Sequence, residues 1–308
     1  MARAYDIVVV GGINSDFVLR GQALPKPGET VVCDQFFQGP GGKGANQAVA
    51  AARLGAKVAI IGCVGNDRRG AELIRNIKVE GVDTRFTVKI KGDTGVALIL
   101  VDQTGEKSIG ACLGANARLG AAHVRKAHEA LRNCKVVLMQ FEAPDPALLA
   151  AAKIAREAGA KVILDPAPPR KIPDGLLELL DVIRPNASEA EFITGMKVSD
   201  RAGARRAASE LIKRGVGAVA LQAGHGGDLF VWPGGEEYLP HFKVESVDAT
   251  GAGDAFAAGL AVGMAEGQPL AAAGKMASAV AAMKTLKMGA QAGLPTRRAL
   301  EAFLRRKG

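Results

Sequence analysis

The chain has 308 residues, 48% hydrophobic and 4% aromatic, with 40 Lys and Arg against 31 Asp and Glu, a formal net charge of +9. That length supports one large core holding roughly three quarters of the unfolded surface away from water, and such a composition suits an α/β core better than an aromatic-stacking nucleic-acid platform. The basic residues are dispersed except for Arg297, Arg298, Arg305, Arg306 and Lys307, which read as a solvated helix face, so nucleic acid is not an expected partner. Cys33, Cys63, Cys112 and Cys134 have neither disulfide-framework nor zinc-site spacing. The early apolar run Ile7 to Val10 is too short for a signal peptide or membrane span, so the chain reads as cytoplasmic and reduced, with no membrane partner.

Asp6 to Val10, stopped by Gly11 and Gly12, has the pattern of a strand buried on both faces of a parallel sheet. Asn14 and Asp16 follow it. At the carboxyl end of a central strand they are placed to grasp hydroxyls; an ordinary Asx turn is the other reading. Glu29 to Gln38, Gly95 to Asp102 and Glu106 to Ala111 read as strands without intervening helices. They predict a small accessory sheet from about residues 15–40 and 93–113, serving as a lid or as an edge that pairs with another subunit. Gly39 to Gln47 crowds glycines before an Ala-rich helix that runs to about Leu54 and stops at Gly55. Such glycines imply close backbone approach, and Lys43 and Asn46 put polar groups on or just before the first turn.

From Lys57 the elements alternate: strand Val58 to Val64, helix Asp67 to Glu80, helix Ala121 to Asn133, strand Val136 to Met139, helix Asp145 to Ala158, strand Lys161 to Asp165 and strand Val182 to Arg184. Alternation of this kind marks a parallel sheet with helices on both faces, and it sets Glu142 at the same rim as Asn14. Ser188 and Glu191 have capping-box spacing, which leaves Asn186 and Glu189 to orient water around a phosphate-bound Mg²⁺. Val219 to Gln222 then enters Ala223-Gly224-His225-Gly226-Gly227, a glycine-rich hairpin with room for a flat ring.

Phe242 to Val247 alternates as a strand does and Ala255 to Met264 reads as a helix, so Gly251 and Gly253 sit at a strand-to-helix turn. There the N–H groups of Ala252, Gly253 and Asp254 lack intrahelical partners and can face an anion. Asp254 either caps the helix or takes the proton of an alcohol attacking a phosphoryl group held by those amides. Two other phosphate motifs are excluded: Phe256 stands where a dinucleotide fingerprint needs a third glycine, and Gly44 follows Gly42-Lys43 where a Walker A loop needs Ser or Thr.

Asn14 with Asp16, the Gly-Gly-Lys-Gly-Ala-Asn-Gln run ending at Gln47, Asn186 with Glu189, and Gly251-Ala252-Gly253-Asp254 occur in an order that resembles the ribokinase-like (PfkB) carbohydrate and nucleoside kinases. Gly42 to Ala50, Met139 to Pro144 and Gly289 to Gln291 look like segments of the ribose-phosphorylating members, and the likeness covers nearly the whole chain. It implies one α/β domain over 1–308, with a central mostly parallel sheet flanked by helices and a small β lid that often clasps a homodimer. It also implies ATP-dependent phosphorylation of the primary 5-hydroxyl of D-ribose.

By this resemblance Asp254 is the base, the backbone amides of Ala252, Gly253 and Asp254 form the anion hole, and Gly251 belongs to the same catalytic motif. Asn14, Asp16, Gly42, Lys43, Gly44, Ala45, Asn46 and Glu142 would hold the sugar. Asn186, Gln222, Ala223, Gly224, His225, Gly226, Gly227, Gly253 and Ser278 would serve the nucleotide, and Glu189 a Mg²⁺ ion through water. A monovalent cation, usually K⁺, is implied at Asp248, Thr250, Lys284, Lys287, Gly289 and Gly293, largely through backbone carbonyls; Gly293 lacks the hydroxyl of a Ser, and Lys284 brings a charge near the site. A kinase of fructose or a ribonucleoside, and a non-catalytic sugar-binding protein, are the rival readings. Asp254 with both glycines intact speaks against the last.

Overall fold

The computed structural model describes residues 3–223 and 226–307. In chain order its strands are β1 (Tyr5–Val10), β2 (Asn14–Gly21), β3 (Cys33–Gly41), β4 (Val58–Gly65), β5 (Thr87–Ile90), β6 (Gly95–Val101), β7 (Lys107–Cys112), β8 (Cys134–Gln140), β9 (Lys161–Asp165), β10 (Val182–Ile183), β11 (Ala218–Gln222), β12 (Gly227–Trp232) and β13 (Gly235–Pro240). The helices are α1 (Lys43–Arg53), α2 (Arg68–Val79), α3 (Ala121–Lys126), α4 (His128–Arg132), α5 (Asp145–Glu157), α6 (Ala187–Thr194), α7 (Arg201–Lys213), α8 (Ala252–Ala265), α9 (Leu270–Lys284) and α10 (Arg297–Lys307).

The large sheet has the order β13-β12-β11-β10-β9-β8-β1-β4-β5, parallel from β11 to β5 and antiparallel at the β12 and β13 edge. Its central strands are apolar throughout because helices cover both faces. Ile7, Val8, Val9 and Val10 have no exposed surface. Helices α3, α4, α5 and α7 bury their alanines and leucines on one face, and α1, α2, α8, α9 and α10 on the other. Small residues let α8 and α9 approach closely: a Cβ on Gly259 would lie 2.8 Å from Ala277 Cα. The chain leaves β1 for β4 on one side and returns as β8 on the other, and such a reversal opens a crevice at the strand carboxyl ends.

The small sheet, β3-β2-β6-β7, grows from that crevice, because β2 begins two residues after Gly12, at the exit from β1. Asn14 and Asp16 therefore lie in a strand, opposite Gly41 and Gly39 of β3, and not in an Asx turn. β3 starts at Cys33, later than Glu29, and continues to Gly41.

Two other segments differ from expectation. Phe242 to Val247 forms no strand: after Pro240 the chain leaves the sheet edge, Phe242 packs edge-on against Phe303 of α10, and the N–H groups of Val247 and Asp248 both donate to Thr285 O. Its alternation reflects side chains laid on helices. The helix expected from Ala121 to Asn133 is two, with three-residue bonds around Ala127 (Ala127 N to Val124 O and Ala130 N to Ala127 O) that suit the three-residue spacing of its buried Val124, Ala127 and Ala130.

Candidate active site

The starts of α1 and α8 meet at the crevice. Gly42 has φ +86°, and a Cβ there would lie 2.6 Å from Asn14 N; one on Gly44 would lie 2.6 Å from the Gly11 carbonyl carbon. Only glycine lets α1 begin this close to the exit of β1. That approach aims the first turn of α1 at Asp254. Asn46 Nδ2 donates to Asp254 Oδ2 at 2.9 Å, Gln47 Nε2 donates to Asp254 Oδ1 at 3.1 Å and to Asp165 Oδ2 at 2.8 Å, and Lys43 Nζ stands 3.9 Å from Asp254 Oδ1. Gln291 Nε2 donates to Asn46 Oδ1 at 2.9 Å and Gln140 Nε2 to Gln47 Oε1, so both amides are held with their NH₂ groups toward the carboxylates. Asp254 is 4% exposed and Gln47, Gln140 and Asp165 are almost fully buried.

Glu142 Oε2 accepts from Lys43 N at 2.8 Å, and it fills the space where a Cβ on Gly12 would stand. Asn14 Oδ1 accepts from Asn116 Nδ2 at 2.7 Å, and Asn116 is itself held by Ile13 N and O. Asp16 lies against Gly41, and its buried Oδ1 has no partner. Ala45 is buried inside α1. Burial pushes the Asp16 carboxyl up to about 7, with the charge of Asp254 adding to it. Burial likewise lifts Glu142 to about 7, against the pull of Lys43, and Asp165 to about 7, against Lys43 and Arg184. Burial works against the Lys43 ammonium, but the surrounding carboxylates, Asp254 foremost, raise it above its ordinary value, so it stays charged.

On the other side of Asp254, Gly251 takes φ +79° and starts α8. Ala252 N donates to Ala249 O at 3.1 Å, so its amide is already engaged; Gly253 and Asp254 remain as the first-turn donors free of the helix's own bonding. Arg184, 8% exposed at the end of β10, lies over the Phe256 ring at 4.6 Å, with Nη1 3.1 Å from where a Cβ on Gly253 would be and with no partner for its Nε. The capping box of α6 is formed by Asn186 and Glu189, not Ser188 and Glu191: Glu189 N donates to Asn186 Oδ1 at 2.8 Å and Asn186 N to Glu189 Oε2 at 2.9 Å. Asn186 precedes that helix in extended geometry with its side chain accepting from Glu189 N, which places the cap two residues upstream of Ser188.

Gln222 ends β11, its N–H bonded to Pro185 O at 3.1 Å, and Ala223 N donates to Gly227 O at 2.9 Å. Gly226 and Gly227 lie against Tyr238. Gly224 and His225 fall outside the described residues. Ser278 is buried midway along α9.

The loop before α8 is organised by Asp248. Its Oδ1 accepts from Thr250 N at 2.9 Å, Thr250 Oγ1 at 2.6 Å and Lys107 Nζ of β7 at 3.0 Å, and its Oδ2 from Gly289 N at 2.8 Å. Burial opposes ionisation here, but these hydrogen bonds outweigh it and hold the carboxyl well below the usual range. Lys284 Nζ donates to Asp248 O at 2.8 Å and Lys287 O at 3.4 Å, and Gly293 lies against the Lys284 carbonyl. Between this loop and the small sheet is a cavity of about 810 Å³, lined among others by Asp16, Lys107, Asp248 and Gln291.

Gln47, Gln140, Asp165, Asn116, Arg184 and Gln291 were not singled out as site residues from the sequence. For three of them a signal was available: Gln140, Asp165 and Arg184 stand at or just past strand carboxyl ends, the position that drew attention to Glu142. Among the described residues there is no cluster of three His, Cys, Asp or Glu able to hold a metal, and no helix is long and apolar enough to cross a membrane.

Residues 4–297 match the model of the pfkB family of carbohydrate kinases. The chain is 39% identical to a ribokinase of Haemophilus influenzae, over 97% of this chain and 98% of that one, and 36% identical to a ribokinase of Bacillus subtilis, over 97% and 99%. Among solved structures, Arabidopsis thaliana ribokinase complexed with ribose and ATP superposes with a TM-score of 0.91 at 31% identity, covering 99% of both chains.

Proposed function

We propose that this chain, which belongs to the pfkB family of carbohydrate kinases and is an ATP-dependent carbohydrate kinase, transfers the γ-phosphoryl group of ATP to the primary 5-hydroxyl of D-ribose, giving ribose 5-phosphate. The observation that carries the reading is the carboxylate of Asp254, held on both oxygens by Asn46 and Gln47, beside the first-turn amides of α8. Phosphoryl transfer needs alignment and charge neutralisation more than a strong base. Asp254 orients the hydroxyl and takes its proton as the bond to phosphorus forms, while the N–H groups of Gly253 and Asp254 face the charge that develops on the transferred group.

The sugar-holding set is acidic. Asp16, with its unpartnered buried oxygen, Glu142 and Asn14 accept or exchange hydrogen bonds with hydroxyls, and Lys43 donates to them. Ribose hydroxyls fit such a lining because one can donate to the buried Asp16 Oδ1, which otherwise lacks a partner. Gly42, Gly44 and Ala45 allow the approach. The phosphates would extend from Gly253 toward Arg184 and Asn186, and the base toward the hairpin of Gln222, Ala223, Gly226 and Gly227, with Gly224, His225 and Ser278 as further expected contacts.

Glu189 keeps one oxygen outside its cap bond, so it fits a role in orienting water on a Mg²⁺ ion held by the nucleotide. Mg²⁺ would neutralise phosphate charge. The small sheet, with Phe36, Phe37, Leu98 and Ile109 exposed, is assigned here as the lid and as the homodimer clasp within a single 1–308 domain.

The test is coupled ADP release with MgATP against D-ribose, 2-deoxyribose, D-fructose, adenosine and cytidine. D-ribose preferred by a wide margin, with the product identified as the 5-phosphate, is the expected result. Preference for another acceptor would overturn the sugar assignment and retain the kinase.

A further inference from the structure

We infer that Lys284 is a tethered replacement for the monovalent cation, so that this kinase works without activation by K⁺; the inference rests on the kinase reading above. Lys284 is the last residue of α9 and has no exposed surface. Its Nζ is 2.8 Å from Asp248 O, 3.4 Å from Lys287 O and 3.7 Å from Asp248 Oδ2. Two backbone carbonyls and a carboxylate are the hard oxygen set an alkali ion takes, and here they face an ammonium group with three donors. The six residues expected around a K⁺ ion do converge, but Lys284 contributes its own positive charge to their centre.

Three further features exclude a second cation. Asp248 is already paired with Lys107 at 3.0 Å, so an added ion would be the third positive charge around one carboxylate. A Cβ on Gly293 would lie 2.3 Å from Lys284 O, so that position admits no side chain to supply a hydroxyl ligand. The C-terminal end of α9 directs its partial negative charge at the same spot, which the helix's own last side chain satisfies. Lys284 thereby ties the end of α9 to the loop that enters α8, and it supplies from within the chain the positive charge that a bound ion would bring, with burial lowering its pKa and the Asp248 carboxylate raising it.

The experiment measures wild-type ribose turnover with MgATP in choline, Na⁺, K⁺ and NH₄⁺ chlorides at equal ionic strength, and the Tm of the ADP-bound protein in the same salts. Turnover and Tm are expected not to depend on which cation is present. Strong stimulation by K⁺, or a K⁺-specific rise in Tm, overturns the assignment. Lys284→Ala opens the place: it is expected to lose about ten-fold or more in rate, to regain part of it with K⁺ or NH₄⁺, and to acquire a K⁺-specific rise in Tm. Lys284→Met, which fills the place without charge, is expected to lose rate without recovery. Retention of the wild-type rate by both variants also overturns the assignment. If the variants do not fold, the wild-type ion series decides. Absence of ribose turnover in every salt would break the functional reading, and the Tm series would still judge Lys284.

Discussion

The proposed acceptor half of the cleft and the proposed nucleotide half are built by different means. Around Asp254, side chains from α1, β8, β9 and the Ala290-Gln291 loop form one buried network in which Gln47 bridges two carboxylates and Gln291 holds Asn46. Around the expected phosphates, apart from the buried guanidinium of Arg184, the polar groups are backbone ends and caps: the first turn of α8, the Asn186–Glu189 box of α6 and the end of β11. Buried networks fix geometry but are costly when one member is lost, whereas a cap is a local device whose loss is felt mainly by its own helix. The acceptor half should therefore be brittle and the nucleotide half tolerant.

Gln47→Leu should show this most strongly. It removes one donor from Asp254, which keeps Asn46, takes the Gln47 donor from Asp165 and leaves Gln140 Nε2 unpaired, and each buried group so orphaned costs about 1–3 kcal/mol. Loss of stability in urea unfolding together with a collapse of turnover is the expected outcome; a variant as stable and active as wild type would show the network to be incidental.

Asp16→Asn comes next. A hydrogen bond to a charged group contributes about 1.5–3 kcal/mol, so KM for ribose should rise on the order of ten-fold or more, with a smaller change in kcat. The same residue sets a pH dependence. Asp16, Glu142 and Asp165 are each raised to about 7 in the folded chain, above the ordinary carboxylate values of the unfolded one. The folded state then binds more protons between those values, so the stability linked to them is present below pH about 4 and is lost as pH rises through about 7. Tm of the ligand-free wild type should carry this downward component between pH 5 and 8, and Asp16→Asn should reduce it. An unchanged slope would contradict the burial of Asp16.

The smallest effect is expected from Asn186→Ala. Loss of the cap should cost about 1 kcal/mol in stability and raise KM for ATP with ribose binding unaltered. A large loss of ribose affinity would mean that the two halves are coupled and the contrast false.

Much of this was legible in the sequence. The apolar run at Ile7–Val10, the β–α alternation and the glycines at 42, 44, 251 and 253 are local signals, because a doubly buried strand and a close backbone approach each restrict residue type. The partners that complete the site were not. Asp165 and Gln47 are 118 residues apart and Gln291 and Asn46 are 245 apart, so their pairing depends on tertiary placement that no spacing encodes. Asn186 with Glu189 and Ser188 with Glu191 satisfy the same capping pattern, and only the extended backbone at Asn186 decides between them. The alternation at Phe242 to Val247 was real but was used against helices.

The central claim is that Asp254 takes the proton of a ribose hydroxyl in the phosphoryl transfer. It is tested most directly by single-turnover conversion of ribose with MgATP in wild type and Asp254→Asn, alongside equilibrium binding of both substrates. Asp254→Asn is expected to bind ribose and ATP nearly as wild type does and to form ribose 5-phosphate slower by about a hundred-fold or more. Turnover close to wild type in a variant with normal binding would contradict it.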